Sequence, residues 1–159
     1  MLDDAAAAPD RATAALGARP AWLGVLARSD HAHIQTHLSG LPALPDFTHL
    51  RRPETGMAMV RGRIGGGGAA FNLGEITIAR CSIRDAAGLV GHGYALGRDL
   101  AQVELIARLD AALQNPDWHD CLIADVVNPL ADLIAARRAA TEAQARATEV
   151  QFFTLATMR

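Results

Sequence analysis

The pattern of apolar and polar positions predicts two short helices near the N-terminus. Apolar side chains over Trp22–Leu26 recur at helical spacing behind Pro20, a residue that suits the first turn of a helix. Ser29-Asp30 supplies a break and a new N-cap, so His31–Leu38 is predicted as a second helix. The alanine-rich residues 1–18 are expected to be a disordered or frayed lead-in.

In the middle of the chain apolar and polar residues alternate, which predicts strands. Phe47–Arg51 is a candidate first strand that Pro53 would stop. Three further runs follow, Met57–Ile64, Phe71–Arg84 and Leu89–Leu96, with turn residues between them. Runs separated in this way are typical of adjacent antiparallel strands.

The C-terminal half returns to helical spacing. Asp99 and Gln102 have the spacing of a capping box. The helix that follows has an apolar stripe over Val103–Leu113, and Arg108 and Asp110 are predicted to lie off this stripe. The next segment, Trp118–Val127, fits either a buried helical turn or a short strand. Asn128-Pro129 then opens a last long helix.

The end of that helix has too little apolar surface to be stable alone. Its second half, Arg137–Thr148, is polar and alanine-rich, and Val150–Leu155 adds a short apolar tail with two phenylalanines. Both features predict packing on another chain. Together the elements predict an α+β fold, a single domain over residues 19–159. In it, an antiparallel sheet of about four strands is flanked by short N-terminal helices and long C-terminal helices.

Composition narrows the function classes. The 159 residues carry a formal net charge of -2 and are 50% hydrophobic, so a core is available but the basic excess of nucleic-acid binding proteins is missing. We predict no membrane-spanning helix and no signal peptide, because the apolar runs are short and the start lacks a basic region. Cys81 and Cys121 are expected to be buried, reduced thiols in a cytoplasmic protein.

Four consecutive glycines, Gly65–Gly68, lie between two predicted strands. Backbone N–H groups in such a run, here those of Gly66 and Gly67, are able to cradle a phosphate. The run lacks the Lys, the Ser or Thr and the helix of a P-loop. A flexible hairpin or a bulged turn is therefore the alternative.

Arginines are concentrated in the same region. Arg80 and Arg84 share one strand face by the period of two, Arg61 lies in the preceding strand, and Arg98 lies at a helix start. Such a cluster suits a polyphosphate or a carboxylate-bearing partner surface. The alternative is a solvated face on which arginines pair with acidic residues such as Glu54.

The histidines give one candidate for chemistry. His33 and His37 have the spacing of a metal pair but lack the glutamate of the zinc-protease motif, so no metal site is predicted. His92 lies between Gly91 and Gly93, small neighbours that would leave it reachable, and is the best acid–base candidate. No nucleophile grouping stands out, and we assign no catalytic residue.

Short motifs follow one another in a specific order and spacing across Glu54–Asp99. They are Glu54-Thr55-Gly56, Arg61 with Gly65–Gly68, Phe71 with Gly74, Thr77, Arg80, Ile83-Arg84, Gly88, Gly91 and Leu96-Gly97-Arg98-Asp99. Trp22–Ala27, Ala135–Arg137 and Val150–Thr154 extend the pattern in both directions. This pattern resembles the PhnG family, one of the protein families that make up the core complex of the bacterial carbon–phosphorus lyase system.

The resemblance implies a required subunit of alpha-D-ribose 1-methylphosphonate 5-triphosphate synthase, in which methylphosphonate displaces the adenine of ATP. It implies partners among lyase subunits H, I, J and L, with direct contact to subunit I, the nucleosidase. ATP and methylphosphonate would be substrates of the complex, and this chain alone would bind no cofactor. The isolated chain is also expected to form a homodimer, because exposed partner surface favours self-association.

Two other functions stay open on the residues alone. One is a free-standing nucleotide- or phosphate-binding domain with an arginine-bearing sheet face, which predicts salt-sensitive ATP binding by the isolated chain. The other is a lone enzyme that uses His92.

Overall fold

Three antiparallel strands form one sheet in the order β1-β2-β3. The computed structural model describes residues 11–63 and 68–149, with side chains from residue 18 onward. The elements in chain order are α1 (Arg11–Arg28), α2 (His31–Leu38), β1 (Phe47–Gly62), β2 (Phe71–Asp85), β3 (Val90–Leu96), α3 (Leu100–Leu113), α4 (Pro116–Leu122), a π-helical turn (Ile123–Val127) and α5 (Asn128–Ala147). The α+β class, the antiparallel sheet and the flanking helices are confirmed.

The sheet has three strands where about four were predicted. β1 runs without interruption through Pro53, so the predicted first strand and its successor are one strand. Proline is tolerated there because β1 is an edge strand and its register shifts between Arg51 and Glu54. A residue at such an irregularity does not have to donate an N–H to the hydrogen-bond ladder of the sheet.

The first helix starts earlier than predicted. It begins at Arg11, which places Pro20 inside it instead of at its first turn. Proline removes one intrahelical hydrogen bond, but Trp22 and Leu26 anchor the helix in the core on the C-terminal side of it. Residues 1–10 of the predicted lead-in lie outside the described residues.

The capping box predicted at the start of α3 is confirmed for the side chain of Asp99 and wrong for that of Gln102. The Asp99 side chain accepts a 2.9 Å hydrogen bond from the backbone N–H of Gln102, as an N-cap should. The Gln102 side chain does not return to Asp99 but donates to the backbone oxygen of Ser29 at 2.6 Å. It therefore ties the start of α3 to the end of α1.

Trp118–Val127 is helical, which resolves the choice left open by its pattern. Asn115 caps α4, and the chain continues through the π-helical turn into α5 with helical backbone throughout. Pro129 has no N–H to donate within the helix, and the wider turn ends just before it. The second half of α5 is exposed along its length, and the predicted apolar tail lies outside the described residues.

The core lies between α3 and one face of the sheet. Ala79, Cys81 and Ile83 of β2 contribute to it, and α3 is buried from Ile106 to Leu113 except at Arg108. The sheet approaches α3 closely because β3 presents glycine: a Cβ at Gly91 or Gly93 would collide with backbone atoms of α3. None of the described helices combines the length and apolarity needed to cross a bilayer.

Candidate functional site

The sheet face that points away from α3, here called the open face, carries a cluster of polar side chains. Opposite residues of an antiparallel sheet share a face, and the register places Glu54 opposite Arg80. Arg84 lies four positions from Arg80 and therefore on the same face, as predicted. The cluster, called the polar patch, comprises Arg51, Glu54, Arg80, Ser82, Arg84 and His92.

Glu54 is the centre of an ion-pair network in this patch. Its Oε1 atom accepts from Arg51 Nη1 at 2.7 Å and from Arg80 Nε at 2.8 Å. These two hydrogen bonds, that of Arg51 first, lower the pKa of the Glu54 carboxyl below its ordinary value, against a smaller opposing effect of desolvation. For Arg51 and Arg80, the pairing with Glu54 predicted as the alternative is what the structure shows.

His92 occupies the neighbouring cross-strand row with Ser82. Its Nδ1 atom lies 2.9 Å from Ser82 Oγ, and the ring is half-buried. The reason given for its accessibility was wrong, because Gly91 and Gly93 serve the opposite face, where α3 packs against them. His92 reaches the open face because of the strand period alone.

The sequence pattern did not identify Asp110 as a buried residue that holds together the elements next to this site. The sequence pattern placed it off the apolar stripe of α3, yet its side chain is fully buried. It accepts from Arg19 Nε at 3.0 Å, from Trp22 Nε1 at 3.0 Å and from the backbone N–H of His92 at 2.8 Å. Asp110 thereby fixes β3 to α1 and α3, and no local sequence signal pointed to this role.

Two of the predicted binding arginines lie apart from the patch. Arg61 is near the far end of β1, where its Nη2 atom is 3.4 Å from the backbone oxygen of Ala70. Arg98 is exposed in the connection between β3 and α3. Gly66 and Gly67 lie outside the described residues. The structure therefore brings together Glu54, Arg80, Arg84 and His92 from the predicted set.

The cysteines differ from each other in environment. Cys81 is buried on the α3 side of the sheet, where burial, and to a smaller extent Glu104, raises the pKa of its thiol to about 11. Cys121 is only half-buried, so the prediction of a buried thiol was right for Cys81 and wrong for Cys121. Both are free thiols.

Exposed apolar side chains are concentrated on the sheet, on both of its faces. Of the ten large hydrophobic residues exposed in the described part of the chain, eight lie on the sheet: Leu50, Met57, Met59, Phe71, Leu73, Ile76, Tyr94 and Leu96. Five of these eight, from Met57 to Ile76, lie on the two-stranded ribbon formed by Gly56–Gly62 and Phe71–Thr77. Concentrated exposed apolar surface beside charged groups is typical of a protein–protein contact surface.

Comparison with known proteins agrees with the resemblance seen in the sequence. The family model described as "Phosphonate metabolism protein PhnG" matches residues 17–157. A relative from Rhizobium meliloti (strain 1021) is 38% identical over 155 residues, which cover 98% of this chain and 97% of the relative. That relative is named "Alpha-D-ribose 1-methylphosphonate 5-triphosphate synthase subunit PhnG".

Proposed function

Because the chain belongs to the PhnG family of phosphonate metabolism proteins, we propose that it is a subunit of alpha-D-ribose 1-methylphosphonate 5-triphosphate synthase. The observation that carries the proposal is the 38% identity, over nearly the full length of both chains, to a protein named as that subunit. Within the synthase, methylphosphonate displaces the adenine of ATP. Both compounds are substrates of the whole assembly, which works in the cytoplasm, and this chain binds no cofactor by itself.

The chain acts as a required partner that supports the nucleosidase, subunit I, by direct contact. Subunits H, J and L complete the set of partners. The open face supports this role because it joins the polar patch to two exposed apolar residues of β3, Tyr94 and Leu96, which are 50% and 71% exposed. Burying such residues against a partner is favourable by about 25 cal/mol per Å² of apolar surface.

Substitutions in the polar patch and on the ribbon separate contact with a partner from contact with substrate. We expect Arg80→Ala and Arg61→Ala to weaken assembly of the synthase while leaving turnover per assembled complex unchanged. Arg28→Ala is the matched control, because Arg28 is an exposed arginine at the end of α1, away from the sheet. Assembly is read by size-exclusion chromatography and turnover by release of adenine from ATP.

The other outcomes of this experiment have separate meanings. Normal assembly with lost turnover would assign the arginines to the triphosphate of the substrate, contrary to a purely supporting role. Wild-type synthase activity that does not depend on this chain would overturn the proposed function itself.

A second candidate is binding of ATP by the isolated chain, favoured by Arg84, which is exposed on the open face. Arg51 and Arg80 already pair with Glu54, which reduces the positive charge available to a triphosphate. Calorimetric titration of the isolated chain with ATP at low and high salt tests this candidate. A salt-sensitive binding isotherm would support it, since screening weakens exposed ionic contacts.

A further inference from the structure

We propose that the outer edge of β2 over Phe71–Ile76 accepts an extended segment of another synthase subunit as an added strand. The segment that fits this edge is apolar in its middle and acidic at its ends. This inference rests on the proposed function and names the part of the chain that makes the contact. Strand addition of this kind obtains its affinity from main-chain hydrogen bonds.

The edge exists because β2 is longer than β3. β3 pairs with Ile78–Arg84 and ends at Leu96, where Gly97 adopts a φ of 97° and turns the chain toward α3. β2 extends back to Phe71. Among the described residues, therefore, no strand lies beside Phe71–Ile76 on the side where β3 would continue.

The backbone groups of Thr77 and Glu75 point into that space. The Gly97 N–H donates to the backbone oxygen of Thr77 at 2.9 Å, so the groups of Thr77 face the β3 side. Backbone groups in an antiparallel strand alternate in direction, so those of Glu75 face the same side. An incoming strand would meet them in line with β3.

Parts of the other two edges of the sheet are protected. On the outer edge of β3, the Val90 oxygen accepts from Arg19 and Gln114, and the His92 N–H donates to Asp110. Along β1, Pro53 and a register shift interrupt the edge. These are the means by which edge strands avoid pairing with other chains. Phe71–Ile76 has neither a proline nor a lysine, and Glu75 is its one charged residue. Its register with β1 shifts at Leu73, so the regular part of this edge is Gly74–Ile76.

The same stretch carries exposed apolar side chains that an added strand would partly bury. Phe71, Leu73 and Ile76 are 39%, 59% and 40% exposed. A two-stranded ribbon is marginally stable in water when it stands alone. A third strand would give it a covered edge and bury part of this apolar surface.

Charge selects a different chain over a second copy of this one. Arg61 lies toward one end of the ribbon, and Arg98 lies at the other end, just past β3. Antiparallel pairing of two β2 edges would bring Arg98 of one copy toward Arg61 of the other, which is repulsive. A segment with acidic residues at its ends would instead be attracted at both.

Hydrogen exchange measured on the wild-type protein tests the proposal directly. Amide exchange of peptides covering Leu73–Glu75 is compared between the isolated chain and the assembled synthase. We expect exchange to slow at least about tenfold in the complex, as for one or more new backbone hydrogen bonds. If the complex forms and these amides exchange as in the isolated chain, strand addition is wrong while the proposed function stands. If no complex forms, the proposed function fails first.

Proline substitution gives a second, independent readout. Glu75→Pro removes an N–H on the free edge, whereas Glu75→Ala removes the charge and keeps the N–H. We expect Glu75→Pro to raise the Kd for the partner about tenfold relative to Glu75→Ala. Met59→Pro, compared with Met59→Ala, makes the same change on the β1 edge and should not weaken binding. If Met59→Pro weakens binding and Glu75→Pro does not, the added strand lies on β1. If the isolated chain pairs with itself and Glu75→Pro abolishes that pairing, the occupant is a second copy of this chain. Either result would overturn the proposal.

Discussion

Asp110 is the residue on which three elements depend. Its buried carboxylate takes hydrogen bonds from α1 and from the backbone of β3 while it is itself part of α3. Sequence periodicity could not identify this role, because a single acidic residue beside an apolar stripe looks like the solvent side of a helix. Its partners Arg19 and Trp22 are about 90 positions away, and nothing in the local pattern connects them to Asp110.

We predict that Asp110→Ala is strongly destabilising. It leaves the Arg19 guanidinium, the Trp22 indole N–H and the His92 N–H without their acceptor, so the free energy of unfolding should fall by about 3–5 kcal/mol. Asp120→Ala, at an exposed position of α4, is the control and should change it by less than about 0.5 kcal/mol. Urea denaturation measures both, and equal effects would contradict the role given to Asp110.

Glu54 makes the stability of the polar patch depend on pH. Its carboxyl pKa is lowered in the folded chain, so the ion pairs contribute stability above the unfolded pKa and lose it as pH falls through the folded value. We expect the NMR titration midpoint of Glu54 to lie below 4.5, the ordinary value, and to rise in Arg51→Ala and in Arg80→Ala. A midpoint at or above the ordinary value in the wild-type chain would show that the network does not form.

The two thiols should react at very different rates. Because the thiol of Cys81 has a pKa of about 11, almost no thiolate is present at pH 8, and burial excludes the reagent as well. In the folded Cys121→Ser variant we expect no rapid reaction with a disulfide reagent, and full reaction after unfolding in guanidinium chloride. Rapid modification of the folded variant would contradict the burial of Cys81.

At the scale of elements, the pattern of the sequence located most helices and strands and missed some of their ends. Pro53 and Pro20 were expected to stop a strand and to start a helix, because proline lacks an N–H. Both instead lie inside longer elements, since Pro53 is on a sheet edge and α1 extends upstream of Pro20. Whether an N–H is needed depends on tertiary position, which local sequence does not encode.

The contact between α3 and β3 gives a prediction at this scale. Gly93→Ala would push a methyl group into the backbone of Val103, so we expect a loss of about 3 kcal/mol in the free energy of unfolding. Gly56→Ala is the matched control, because a Cβ there meets nothing within 4 Å and the change should be small. Thermal denaturation followed by circular dichroism distinguishes the two, and a stable Gly93→Ala variant would refute the close packing.

Taken as a whole, the molecule separates a packed side from an exposed side. α3 covers one sheet face near β3, and the opposite face keeps the polar patch together with Tyr94 and Leu96. The ribbon exposes apolar residues on both faces. The sequence predicted the arginine-bearing face through the period of two, and the motifs indicated the family. The sequence could not predict which face α3 would cover, because both faces contain apolar residues. It also could not predict that β2 would extend beyond β3, because that depends on where Gly97 turns the chain.

Co-purification tests the central claim most directly. The tagged chain is expressed together with its genomic neighbours, captured, and the recovered proteins are identified by mass spectrometry. We predict a stable complex that contains the other synthase subunits and that releases adenine from ATP in the presence of methylphosphonate. Recovery of this chain alone, with full synthase activity left in the uncaptured fraction, would contradict its assignment as a synthase subunit.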